Sequence, residues 1–441
     1  MSDPQLFDVG DPVPAAAGAK SLGLPRLRTA DREQVKWVAV DLDGSLAQDH
    51  RARLLWDLVG RLDLTGLYER ISARGRVAGA PATDPKILLV LWLLATSEGV
   101  GSGREVARLC TLHDAYRWIC GGVSVDATTL SAFRAAGREE LDGLLTQVLA
   151  VLMKQGVLTL ERVAQDGMRT RASAGAASFR REASLNDCLE AARKHLDEVR
   201  REAVDPANRP SRVRQAARER GARDRAERVE QALAELPAAR AVKSTEKDRA
   251  EARVSTTDPE ARVMKMGDGG FRPAYNLQFA TDTASRVIVG VGTTNAGADS
   301  RQMEPMLKQI EERTGKKPPE YLVDGGYVNL EAIDAADAQG TKVFAPVQKP
   351  RDASVDRHAP KPGDGPGTIA WRERMATAEA KEIYKERAAT AETVNADART
   401  KRGLERLLVR GRDKVHGVAL LVALTSNLLL GVTIAALRAL S

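Results

Sequence analysis

Cysteine, histidine and aromatic residues are scarce in this chain: of 441 residues, three are Cys, five are His and 4% are aromatic. Cys110, Cys120 and Cys188 form no CxxC pair and have no histidine cluster beside them. That argues against a disulfide framework or a zinc site. It fits reduced core thiols in a cytoplasmic protein. The opening MSDPQLFDVG lacks the basic and then apolar build of a secretory signal. No strong excess of one charge is present either, since 67 basic residues face 60 acidic ones. The net charge of +7 hints at a polyanionic partner only weakly. Long apolar runs are also few. One, VALLVALTSNLLLGVTIAAL at 418–437, is long enough to span a bilayer. Thr425-Ser426-Asn427 at its centre points instead to a buried helix, so no membrane contact is expected.

What is present is a mixed pattern. Residues 1–48 read as an extended arm and linker rich in Pro, Ala and Gly. Residues 49–157 read as helices throughout. Asp84-Pro85 opens a strongly apolar one. Gly121-Gly122 breaks the chain after two short amphipathic pieces. Asp126 then caps a helix bearing Thr128, Thr129, Ser131, Arg134 and Arg138. This is how a helix-turn-helix reads, with Arg134 and Arg138 as candidate DNA contacts. A plain helical bundle is the other reading of the same pattern.

From 158 the period changes. LTLERVAQDGMRTRAS reads as a strand ending at Asp166-Gly167 within a segment 158–178. A charged helical insertion spans 179–262. From Arg200 to Arg228 it holds ten Arg against five acids, Arg212 and Arg214 among them. That stretch suits a DNA clamp or a helical pair held by internal ion pairs. Over 263–441 come a hairpin around Asp282-Thr283-Ala284-Ser285, a helix, a strand at EYLVDGGY, a helix, a strand at TKVFAPV and a closing helical region.

VAVDLDGSLA, residues 38–47, looks by itself like the nucleophile strand of a haloacid dehalogenase-like phosphatase. Such an enzyme needs that strand to open a parallel sheet, and here more than a hundred residues of helix follow. Asp41 and Asp43 therefore read as loop residues.

The chemistry points elsewhere. VAQD(166)G and LVD(324)GG each place a short carboxylate after a strand. On neighbouring strands, two such acids repel unless a cation lies between them. Hard oxygen ligands with free positions suit Mg²⁺, and a third acid would complete a two-metal phosphodiester site. The element order is that of an α/β ribonuclease H-like domain, with the insertion after its first strand. Glu379, Glu382, Glu386 and Glu392 are the candidates for the third acid.

On these residues the chain resembles bacterial insertion-sequence transposases of the DDE type. RWICGGVSVDATTLSAFR is similar to their helical region, QDGMRTRAS and YLVDGGY to the segments around the two Asp, and KVHGVALLVALTSNLLL to their closing helix. Tyr384, Arg387, Glu392 and Arg399 resemble the family's Tyr-Arg-Glu-basic signature. The resemblance implies catalytic and metal-binding roles for Asp166, Asp324 and Glu392, with two Mg²⁺ ions for which Mn²⁺ can substitute. It implies double-stranded DNA as partner, both terminal inverted repeats and target. It also implies a homodimer or higher multimer on DNA, in the bacterial cytoplasm with the nucleoid. Arg387 and Arg399 stand where they could meet phosphates. One departure stands out. Where the family has a Pro-Val-Phe-Gly-like turn, this chain has Thr393-Val394-Asn395-Ala396-Asp397. The departure leaves open a catalytically impaired, transposase-derived DNA-binding protein.

Overall fold

The computed structural model describes residues 41–74, 81–204, 211–350, 352 and 354–440, with isolated positions 33, 35 and 39. Most of the expected arm and residues 205–210 of the Arg-rich stretch lie outside the described residues.

Among the described residues, seven helices come first: α1 Arg51–Val59, α2 Thr65–Glu69, α3 Pro85–Ser97, α4 Gly103–Leu112, α5 Asp114–Cys120, α6 Ala127–Ala136 and α7 Arg138–Lys154. Their starts follow capping chemistry. Asp84 accepts from the Lys86 N–H with Pro85 in the first turn, and Asp126 accepts from the Thr128 and Thr129 N–H groups at 2.7 and 3.0 Å. α5 ends at Gly121 in the left-handed region, φ 54°, where a side chain would be strained. α3 is buried on nearly every side, as its unbroken apolar run requires.

Asp43 lies among the turns before α1 and accepts from Arg53 Nη1 at 2.7 Å and Trp118 Nε1 at 3.0 Å. The Arg53 guanidinium also covers the Trp118 ring at 4.8 Å. Asp43 is thus a latch joining α1 to α5, and among the described residues no strand follows it for more than a hundred residues.

The sheet strands are β1 Arg162–Arg171, β4 Arg262–Lys265, β5 Phe271–Asp282, β6 Ile288–Thr294, β7 Glu320–Leu322 and β8 Lys342–Phe344. The order is β4–β5–β1–β7–β8, with β6 pairing β5 alongside β4. β5 runs antiparallel to β1, β4 and β6, while β1, β7 and β8 are parallel. The β5–β6 hairpin turns where expected. Asp282 Oδ2 accepts from the Ser285 N–H at 2.8 Å and from its hydroxyl at 2.6 Å. β1 corrects one expectation. It does not end at Asp166-Gly167 but continues to Arg171, paired with β5 throughout.

Between β1 and β4 lies the insertion. β2 Phe179–Arg180 pairs β3 Val254–Ser255 at its base. Beyond it extend α8 Glu182–Val204 and α9 Arg212–Ala241, followed by the short α10 Glu246–Ala250. Arg240–Glu182, Arg193–Glu230 and Arg200–Glu219 pair in opposite order along α8 and α9, so the two form an antiparallel hairpin. A small core of Leu185, Ala232, Leu236, Ala239, Ala252 and Val254 holds its base.

The remaining helices are α11 Met303–Thr314, α12 Leu330–Ala338, α13 Pro366–Ala376, α14 Ala378–Arg387, α15 Thr393–Thr400 and α16 Arg412–Leu440. α16 carries the apolar run and packs against α3, α7 and β6. Asn427, 1% exposed, accepts from the Ile288 N–H and donates to its carbonyl, both at 2.8 Å. Its amide continues the ladder at the open edge of β6. The polar break is thus what lets α16 seat against a sheet edge. A single apolar core runs from Leu46 through the sheet to Leu428, so helices and sheet share one interior.

Candidate active site

β1 and β7 pair in parallel with Arg162 opposite Glu320, Val163 opposite Tyr321 and Ala164 opposite Leu322. Two residues further on, Asp166 and Asp324 lie level. Side chains alternate along a strand, and Asp324 keeps an extended backbone (φ −78°, ψ 175°), so the two carboxylates share one face. β7 has ended by then, which opens a crevice beside Asp166. Asp324 Oδ1 accepts from the Gly326 N–H at 2.7 Å, which fixes the Asp-Gly-Gly turn.

Asp166 is largely buried. Its Oδ1 accepts from the Gly167 N–H at 2.9 Å, and its Oδ2 from Asn395 Nδ2 at 3.1 Å. Arg387 Nη1 stands 3.8 Å from the same oxygen. Burial pushes the Asp166 carboxyl up to about 6, the nearby Arg387 charge and the Gly167 N–H pull it down, and repulsion from Asp324 adds to the rise.

The facing element is a helix with a widened turn. Between α14 and α15, residues Ala388–Glu392 form a π turn. On a regular helix, residues five apart point in different directions. In a π turn they line up, and Arg387 Nη2 meets Glu392 Oε1 at 3.0 Å. Asn395 follows one turn later on the same side and reaches Asp166. Glu392 is 59% exposed and turned toward Arg387, whose own side chain is 13% exposed. Among the described residues, no three His, Cys, Asp or Glu side chains stand close enough to hold a metal ion. The two aspartates are together, and Glu392 lies across Arg387 from them. Glu386 pairs with Arg162 at 2.5 Å, at the start of β1 and four residues from Asp166. Glu382 pairs with Lys385 at 2.6 Å on the exposed side of α14.

The structure redistributes the candidate arginines. Arg134 does not face solvent. It is 7% exposed, donates to the Gly101 carbonyl at 2.6 Å and lies over the Trp92 ring at 4.1 Å. This corrects the expectation that it reads a DNA groove. The exposed face of α6 carries Thr128, Ser131 and Ala132 instead. Arg138 is half exposed and pairs with Asp413. Arg387 points into the acid site, with its guanidinium committed to Asp166 and Glu392. Arg399 and Arg214 are exposed. The Arg212 side chain lies outside the described residues.

Sequence reasoning missed a buried polar network behind β1. Gln165 Nε2 donates to Gln278 Oε1 at 2.9 Å, and Tyr321 Oη to Gln165 Oε1 at 2.7 Å. Tyr327 Oη donates to Gln278. Gln278 and Asn276 each donate to Asp299 Oδ1 at 2.7 Å. A Cβ on Gly167 would stand 2.5 Å from Gln278 Nε2 and 2.6 Å from Asp299 Oδ1. Gly167 is therefore a packing requirement within a strand. The signal was available in the sequence: Asn276 and Gln278 interrupt the apolar run of Tyr275, Leu277, Phe279 and Ala280.

Two family models match the chain. One described as "Transposase DDE domain" matches residues 241–428, and one described as "Transposase domain (DUF772)" matches residues 40–136. The chain belongs to the DDE-type insertion-sequence transposases. No curated protein and no solved structure matches it. The chain has a mixed α/β fold with a curled sheet, and its family acts on DNA, cleaves nucleic acid and uses divalent metal ions. Its DDE match begins inside the insertion and includes Asp324 and Glu392. Asp166 lies before it, on the far side of the helical hairpin, and is brought to Asp324 by the β1–β7 pairing.

Proposed function

We propose that the sheet is a ribonuclease H-like catalytic core in which Asp166, Asp324 and Glu392 hold two Mg²⁺ ions, with Mn²⁺ able to replace them. The observation that carries this reading is the level placement of Asp166 and Asp324 on neighbouring parallel strands, beneath the helix that bears Glu392. A half-buried acid pair beside an arginine suits a divalent cation, because its charges otherwise repel. The bound ions would polarise the phosphodiester and activate the attacking oxygen. The chain's own residues orient the parts. The Gly167 and Gly326 N–H groups fix one oxygen of each Asp. Glu392 joins the acids by leaving Arg387, whose guanidinium then faces phosphate.

The N-terminal helices would bind the terminal inverted repeats through α6 and Arg138. On the α8–α9 hairpin, several arginines are engaged in ion pairs within it, and the exposed Arg201, Arg214, Arg220 and Arg225 remain for the DNA backbone. The working form is a homodimer or higher multimer on paired ends, in the cytoplasm and with the nucleoid.

The test is cleavage of a labelled DNA carrying the element's own ends, with Mg²⁺. Asp166→Asn, Asp324→Asn and Glu392→Gln should each lose nicking and keep end binding, and Glu386→Gln should keep both. Nicking by Glu392→Gln at the wild-type rate would remove Glu392 from the site. One observation favours a second reading: Glu392 is paired with Arg387 away from the aspartates. Wild-type protein that binds ends and never nicks them would make this a catalytically impaired DNA-binding derivative.

A further inference from the structure

Asn395 stands where the family resemblance breaks, and it touches Asp166. Its Nδ2 donates to Asp166 Oδ2 at 3.1 Å. Its Oδ1 is buried and has no hydrogen-bond partner. A buried amide oxygen left without a donor costs about 1–3 kcal/mol. Such an atom in a native site calls for a missing water or ion. Arg387 Nε, beside it in the same site, is also buried without a partner. Two orphaned polar atoms thus flank the Asp166 carboxylate. The acceptor among them is an amide carbonyl oxygen, a hard and neutral ligand of the kind that magnesium and manganese accept.

We propose that Asn395 supplies a carbonyl-oxygen ligand to the divalent cation held by Asp166 and Asp324, an inference that rests on the acid site read above. The amide exchanges its two ends by a half-turn about its last side-chain bond. Turned, it withdraws its N–H from Asp166 Oδ2, and that oxygen becomes free for a cation. The same turn brings Oδ1 to where the N–H stood, so one motion frees a carboxylate oxygen and satisfies the orphan. A neutral ligand suits this place. It adds an oxygen to a largely buried crevice without a further negative charge beside two aspartates. The π turn makes this possible, because it sets the phase of α15 so that Asn395 faces Asp166.

The test is titration of the full chain with Mn²⁺ alone, with no DNA, followed by electron paramagnetic resonance of the free ion. Thermal melting of each variant checks folding first. Asn395→Leu should bind Mn²⁺ about tenfold more weakly or worse, the scale seen when a supporting group of a metal site is removed. Asn395→Ala, which adds no bulk, serves the same purpose if leucine prevents folding. Asn395→Asp should restore binding, since a carboxylate also offers oxygen. If Asn395 only steadied Asp166 through its N–H, Asn395→Asp would bind no better than the leucine variant, and the proposal would fall. Wild-type affinity in Asn395→Leu, with affinity lost in Asp324→Asn, would also overturn it while leaving the acid site standing. Unchanged Mn²⁺ binding in both Asp166→Asn and Asp324→Asn would sink the acid site itself, and this proposal with it.

Discussion

Replacing Asn427 asks whether α16 is a core helix fastened to a sheet edge. Its amide satisfies both backbone groups of Ile288, at 2.8 Å each, and both residues are 1% exposed. Asn427→Ala leaves a buried N–H and a buried carbonyl without partners. Each such group costs about 1–3 kcal/mol, so the pair should cost about 4 kcal/mol. Urea unfolding reads this as a lower midpoint at an unchanged slope. A loss below about 1 kcal/mol would mean that water reaches the β6 edge and that the amide is not the fastening. Asn427→Asp sharpens the test. A neutral carboxylic acid can accept from the Ile288 N–H and donate to its carbonyl, whereas a carboxylate cannot donate. Burial and the facing carbonyl raise the folded-state pKa of such an acid above its unfolded value of about 3.9. Its stabilising contribution is therefore present below that pH and lost as pH rises through the raised value. Measured against wild type at each pH, Asn427→Asp should be close to it near pH 4 and far less stable at pH 8. A difference that does not depend on pH would refute the hydrogen-bond account.

Three further outcomes follow from single side chains. His416 is buried beside Thr293, with Arg138, Asp142, Arg313 and Asp413 around it, and burial brings its imidazole down from 6.5 to about 4. The unfolded chain binds that proton more readily, so stability should fall by roughly 2 kcal/mol from pH 7 to pH 5; His416→Gln should flatten that part of the urea-midpoint profile, and an unchanged slope would show that His416 titrates normally. Arg134→Met keeps the length of the side chain but loses the Gly101 hydrogen bond and the cover over Trp92. It should cost about 1–3 kcal/mol of stability and leave discrimination between end and random DNA intact in a filter-binding assay, and lost discrimination in a stably folded variant would return Arg134 to the reading surface. Asp43→Asn breaks the ion pair to Arg53 at the surface and should leave end cleavage unchanged; loss of cleavage with binding retained would reopen a phosphoryl-transfer role for that stretch.

Much of this architecture is local and was legible. Caps at Asp84 and Asp126, the Gly121 break and the Asp282–Ser285 turn between β5 and β6 all act within a few residues, so the chain writes them in order. The two Asp-Gly steps and the Tyr-Arg-Glu-basic spacing were legible for the same reason, and with them the family. Local pattern could not tell which way a helical arginine points. Arg134 turns inward because Trp92, forty-two residues earlier, offers its ring, and Arg138, four residues later at the start of α7 beyond the Gly137 break, stays at the surface.

The acid site was decided by tertiary structure. Asp166 and Asp324 become neighbours only through a parallel strand pairing that skips the entire insertion. Asp166 sits inside a strand because β5 continues beside β1, and Gly167 is required by side chains from β5 and by Asp299, none adjacent to it in sequence. Asn395 reaches Asp166 across 229 residues. It does so because five residues are wound into a π turn, a choice of helical pitch that periodicity at 3.6 residues per turn does not encode. The same division holds at α16. Its sequence was compatible with a bilayer, and what made it a core helix was the unpaired edge of β6, whose Ile288 backbone needed the amide that Asn427 carries. Periodicity and capping are properties of a segment. Partners for buried polar groups are properties of the whole fold, since a hydrogen bond is satisfied by whatever the chain brings to it.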